Sequence, residues 1–139
     1  MASAAQIQVI GMKETRKGLR DASTDNAWRV GLRGVFGPVA TLVQGAAQSK
    51  ASGTRMGSAA VSSIRGKAST TGAQIQAFKG ETGDYGPGFE YGSNGTYPQF
   101  GPRTPGGKSL YPAITDTRPQ IEELVMGGID TMLESTFPE

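Results

Sequence analysis

Between residues 6 and 10 polar and apolar side chains alternate as Gln6, Ile7, Gln8 and Val9, run into Ile10, and are closed by Gly11. That period of two predicts a short half-buried strand over 6–11. The period then lengthens. Met12, Thr15, Leu19 and Ala22 share one helical stripe while Lys13, Arg16, Lys17 and Arg20 lie off it, so a short surface helix is predicted over 12–22, weakened by Gly18. Thr24 or Asp25 offers a cap for a second helix, predicted from Asn26 to Gln48. Here Trp28, Leu32, Val35, Phe36, Val39, Val43, Ala46 and Ala47 recur at helical spacing, and the first six of these form the predicted core. Pro38 removes the amide that would bond the carbonyl of Gly34, which predicts a kink there.

The polar, glycine-punctuated run from Ser49 to Ser58 predicts a loop. Residues 61–67 and 73–79 then predict a β-hairpin turning through residues 68–72, with Ala73, Ile75 and Ala77 alternating against Gln74 and Gln76. Its weak hydrophobicity implies that one face is solvated or meets another subunit. From Pro112 to Ser135 a second long helix is predicted, with Ile114, Ile121, Leu124, Val125, Met132 and Leu133 on its apolar stripe. Ile121, Leu124 and Val125 complete the predicted core. Pro112 suits a first turn, whereas Pro119 predicts a bend or a restart. The expected fold class is α+β: a small antiparallel sheet, made of the N-terminal strand and the hairpin, packed against a long central helix and a long C-terminal helix. The chain is expected to be a single domain over 1–139, with a flexible tail at 1–5 and an extended Pro/Gly loop over 92–109.

Composition narrows the chemistry. The chain has no cysteine and no histidine. That removes thiol nucleophiles, disulfides, imidazole bases and zinc sites built on either residue. A Ser–Lys pair has the wrong spacing in Ser49-Lys50 and Lys108-Ser109, and the adjacent Glu122 and Glu123 point about 100° apart, so they cannot flank one scissile bond. Neither the GxxxxGK[ST] phosphate loop nor a dinucleotide fingerprint is present; the segment 86–92 has one residue too many and no βαβ setting. No enzymatic activity, cofactor or metal is expected. The N-terminus lacks the features of a secretory signal, and no apolar run approaches the roughly 20 residues that span a bilayer. A soluble protein made in the cytoplasm, without a membrane partner, is expected.

The net charge of +2 conceals an asymmetry: residues 1–79 carry eleven Lys/Arg against three Asp/Glu, and residues 80–139 carry three against nine. Opposed halves suit head-to-tail packing of identical subunits, and the basic half also suits a small sequence-independent DNA-binding module. Within the acidic half lies GFEYGSNGTYPQFGPRTPGGKSLYP, residues 88–112, with five aromatics among its glycines and prolines. Phe89 and Tyr91 are expected to pack on the domain and Leu110 and Tyr111 to seat the last helix. Tyr97 and Phe100 are expected to touch a neighbouring protein.

The order of elements resembles the neck or tail-completion proteins of long-tailed bacteriophages, the family similar to minor tail protein Z of phage lambda. The resemblance spans residues 6–135 and is carried by Val9, Gly11, Met12 and Leu19 at the start, Arg55, Gly57, Ser63 and Ile64 ahead of the hairpin, the Phe89–Ser93 segment, and Leu110–Ala113. Met56 replaces the threonine of the family's basic turn, and a proline usual ahead of that turn is missing. The resemblance implies a non-enzymatic virion structural protein at the head–tail junction. It implies a homo-oligomeric ring, sixfold, in contact with adjacent neck and tail proteins and with DNA passing through the channel; a tail terminator ring capping the tube is the related alternative. In such a ring one subunit's basic surface faces its neighbour's acidic one, which nominates Arg29, Arg33, Arg55, Arg65 and Lys67 against Glu81, Asp84, Glu90, Glu122 and Glu123.

Overall fold

A computed structural model describes residues 3–22, 27–54, 57–78, 90–93, 103–104 and 106–136. The fold is α+β. In chain order the elements are β1 (Ser3–Gln8), α1 (Met12–Ala22), α2 (Ala27–Ala51), α3 (Gly57–Ser63), β2 (Arg65–Ala68), β3 (Gly72–Ala77) and α4 (Leu110–Thr136). The three strands form an antiparallel sheet in the order β1-β3-β2.

Register explains the faint hairpin pattern. Ile7, Ala73 and Ala68 form one row across the sheet and Ala5, Ile75 and Gly66 the next, so these small and branched side chains make the face that covers α2. The alternate rows carry polar side chains: Gln6, Gln74 and Lys67 between these two, and Gln76 and Arg65 in the row beyond. The helix lies so close that a Cβ on Gly66 would stand 2.6 Å from the Ala40 carbonyl oxygen. Gln44 completes the join by accepting the Gly66 amide at 2.6 Å, which satisfies the outer edge of β2 at that point.

Helices α2 and α4 run antiparallel along one seam. Gly128 abuts Val35 and Gly31 abuts Met132, while at the opposite end Lys50 pairs with Asp116 at 2.5 Å. Leu32, Phe36, Val39 and Val43 are fully buried between the sheet and α4, joined by Trp28, Val35, Ile121 and Val125.

Several expectations need correction. Strand β1 begins at Ser3 and ends at Gln8, and Ala5 is buried against Ile75, so residues 3–5 of the expected tail belong to the sheet; residues 1–2 lie outside the described residues. Alanine carries too little hydrophobicity to show in an alternation count, yet fits where the helix approaches closely. Val61–Ser63 are helical, not strand: Ala60 is fully buried, Ser62 and Ser63 return their hydroxyls to carbonyls in α3, and Gln48 of α2 donates to the Val61 carbonyl. The predicted loop 49–58 is shorter than expected, because α2 continues to Ala51 and α3 starts at Gly57. Strand β3 stops at Ala77, where Phe78 takes a positive φ of 55°. Helix α4 continues through Pro119, so there is no restart.

Leu124 is 36% exposed and does not belong to the core. The seam follows Ala113, Thr117, Ile121 and Val125, spaced by four, and Leu124 stands about 60° to one side of Ile121. Small residues decide where the two helices touch, and the larger side chain is displaced onto the flank.

Candidate functional site

Three features of the surface and its supports bear on function. The first is the junction where the aromatic segment meets α4. A helix N-terminus presents amides without intrahelical partners, and an acidic group placed there is favoured. Glu90 is that group. Its Oε1 accepts the amides of Ser109 and Leu110 at 2.8 Å each and that of Lys108 at 3.3 Å, while Oε2 accepts Leu110 at 3.0 Å and Ser109 at 3.4 Å. The side chain is fully buried, so Glu90 is not at a subunit interface as expected from sequence. Gly107 makes room for it: its φ is +86°, and a Cβ there would lie 2.7 Å from Oε2.

Beside this carboxylate the rings of Tyr91 and Tyr111 stack at 6.1 Å with a 31° tilt. Burial, the hydrogen bond to Tyr111 and the nearby charges of Tyr111 and Glu90 push the Tyr91 hydroxyl up to about 12. Tyr91 thus packs on the domain as expected, and Leu110, fully buried, seats α4. The chemistry of this junction is structural, since Glu90 is fully committed to backbone donors.

The second feature is a cationic face. In α1, Lys13, Arg16, Lys17 and Arg20 stand at i, i+3, i+4 and i+7, and so occupy one stripe, while Met12 and Leu19, about 100° round the helix from its centre, are buried and leave Arg16 half-buried beside them. Arg16 extends across Trp28 with its guanidinium 5.7 Å from the ring centroid, and Arg29 of α2 lies 5.1 Å from the same ring. Arg33, one turn further along α2, is exposed. On this face Arg20 pairs with Asp21 at 3.8 Å. The spacing within α1 was visible in the sequence, but its four cations were not among the nominated interface residues.

The third feature is an open groove of roughly 440 Å³ between β1 and one flank of α4. Ile7, Val9, Ile114, Ile121, Val125 and Met126 supply its apolar lining, with the Arg118–Glu122 pair on the polar side. Met126 is 63% exposed, and Leu133, seven residues on along the same flank, is also exposed. Here an edge strand and a helix flank stand next to each other with apolar surface between them.

The remaining nominated residues distribute as follows. Arg29 and Arg33 are on the cationic face; Arg65 and Lys67 project from β2 on the polar side of the sheet; Glu122 and Glu123 are exposed on α4. The structure does not bring Arg65 and Lys67 together with the α1 stripe as one site. Arg55, Glu81, Asp84, Phe89, Tyr97 and Phe100 lie outside the described residues. Among the described residues no three acidic, histidine or cysteine side chains converge as a metal site requires, and no helix is long and apolar enough to cross a membrane. No family model, curated protein or solved structure matches this chain.

Proposed function

We propose that this chain is a structural subunit of a tailed-phage virion, assembling with copies of itself into a neck or tail-completion ring at the head–tail junction. The groove between β1 and α4 supports the self-assembling part of this reading. It joins an edge strand, whose outer hydrogen-bonding row favours addition of further chain, to apolar side chains that a lone subunit leaves in water. The distribution of charge supports a head-to-tail contact, since the cations of α1 and α2 and the carboxylates of α4 lie on different elements of the same subunit. The virion setting rests on the resemblance in element order and in the Phe89–Ser93 and Leu110–Ala113 segments.

The test is made on particles. If the reading holds, purified virions contain the chain in a small fixed copy number, and cryo-EM density for α2 and α4 appears as a ring where tail meets head. Its absence from purified particles, with full infectivity of particles lacking its gene, would refute the reading.

A further inference from the structure

We propose that the face formed by α1 and the first turns of α2 binds double-stranded nucleic acid through its phosphates, without regard to base sequence. This holds whether or not the chain forms a ring.

The cationic stripe is unfavourable for the helix that bears it. Lys13, Arg16, Lys17 and Arg20 put like charges at i, i+3 and i, i+4 repeatedly, an arrangement that destabilises an isolated helix. The acidic residues of α1, Glu14 and Asp21, stand three residues before and four after Lys17 and border the stripe on that side, and Asp21 pairs with Arg20; four cations against two carboxylates still leave the helix at +2. The stripe is about 10 Å long, a length over which duplex DNA presents roughly six phosphates. Arg29 and Arg33 extend it onto α2, and Trp28 fixes Arg16 and Arg29 against one ring, which restrains two otherwise mobile side chains before any partner arrives.

The same geometry discriminates among polyanions. Single strands are held by stacking bases on exposed rings, but Trp28 is only 4% exposed and lies under two guanidinium groups. An anionic membrane would need an apolar helix side to insert, and the apolar side of α1, Met12 and Leu19, is already in the core. A second copy offers a smaller complement than its sequence suggests: of the five carboxylates of α4, Asp116 is paired with Lys50 and Glu122 with Arg118 within the subunit, which leaves Glu123, Asp130 and Glu134 for a head-to-tail contact. A duplex offers regularly spaced, unpaired phosphates that match a straight row of donors.

Fluorescence anisotropy with two 20-base-pair DNA duplexes of unrelated sequence, titrated from 50 to 300 mM salt, tests the assignment. The full chain is expected to bind both within about twofold, with log K falling against log salt at a slope near −4.5 for about five phosphates. The variant Lys13→Ala/Lys17→Ala is expected to lose about tenfold or more in affinity at 100 mM salt and to flatten the slope by nearly 2. Arg65→Ala/Lys67→Ala removes the same charge from β2 and is expected to leave affinity within about twofold. Emission of Trp28, the chain's one tryptophan, should change as duplex is added. Absence of binding at 50 mM salt overturns the proposal, as does equal weakening by both double variants, which would mean that net charge acts and not this face. Loss of self-association in the α1 variant without any duplex binding by the parent chain would also overturn it, and would give the face to a second copy.

Discussion

Replacing Glu90 by glutamine keeps the shape of the side chain and removes its charge, which isolates what the carboxylate does at the start of α4. In the native chain both oxygens accept, and the two 2.8 Å bonds from Ser109 and Leu110 are charge-assisted. Such bonds contribute about 1.5–3 kcal/mol each against about 0.5–1.5 for neutral ones, so neutralising them costs about 2 kcal/mol. Glutamine must also turn an NH2 group toward amides that are themselves donors, and it forfeits the attraction of the helix N-terminus for negative charge, roughly 0.5 kcal/mol. The expected destabilisation is about 3 kcal/mol, which for a domain of this size lowers Tm by on the order of 10 °C. Thermal and urea unfolding followed by circular dichroism measure it, with hydrogen exchange at the Ser109 and Leu110 amides as the local readout. Ser109→Ala is the control: its hydroxyl is buried with no hydrogen-bond partner among the described residues, so its removal should cost almost nothing. If Glu90→Gln unfolds within about 0.5 kcal/mol of the native chain and the two amides exchange no faster, the carboxylate does not hold the helix.

Two further outcomes follow from the packing and the titration. Gly72→Ala drives a Cβ into the Ile7 carbonyl oxygen, a backbone atom that cannot step aside, so β1 should detach from β3 and stability should fall by about 3 kcal/mol or more in chemical denaturation. Tyr91, pushed up to about 12, should remain protonated in spectrophotometric titration at a pH where an ordinary tyrosine is half ionised. Because its folded-state value lies above the unfolded one, the stability it contributes is complete below pH 10 and is lost as pH rises from 10 through 12; Tyr91→Phe should lack that loss.

How much of this was legible in the sequence depended on what signalled each element. Helix α1 matches its predicted bounds, and α2 lies within three residues of them, because Met12, Leu19, Leu32, Val39 and Val43 repeat at helical spacing and are buried as that spacing demands. Strand β1 and helix α3 were misplaced because alanine and serine are neutral in any hydrophobicity pattern: Ala5 and Ala60 are buried by close approach, not by size. Leu124 failed for the related reason that Gly31 and Gly128 set the seam between α2 and α4. Glu90 was the largest error. A charged residue between two aromatics suggests a surface, and the amides that neutralise it lie eighteen to twenty residues away in sequence. Gly107, with a positive φ and no room for a Cβ, was the one local hint that something packs against that turn.

The groove between β1 and α4 makes self-association the claim most directly open to measurement. Sedimentation equilibrium of the full chain, run from micromolar to near-millimolar concentration, is the measurement, with Met126→Asp as the paired variant. Six 14.5 kDa subunits correspond to about 87 kDa, and the native chain should approach that closed mass while Met126→Asp remains smaller. A native chain that stays at 14.5 kDa throughout, or a variant that assembles as well as the native chain, would contradict the account.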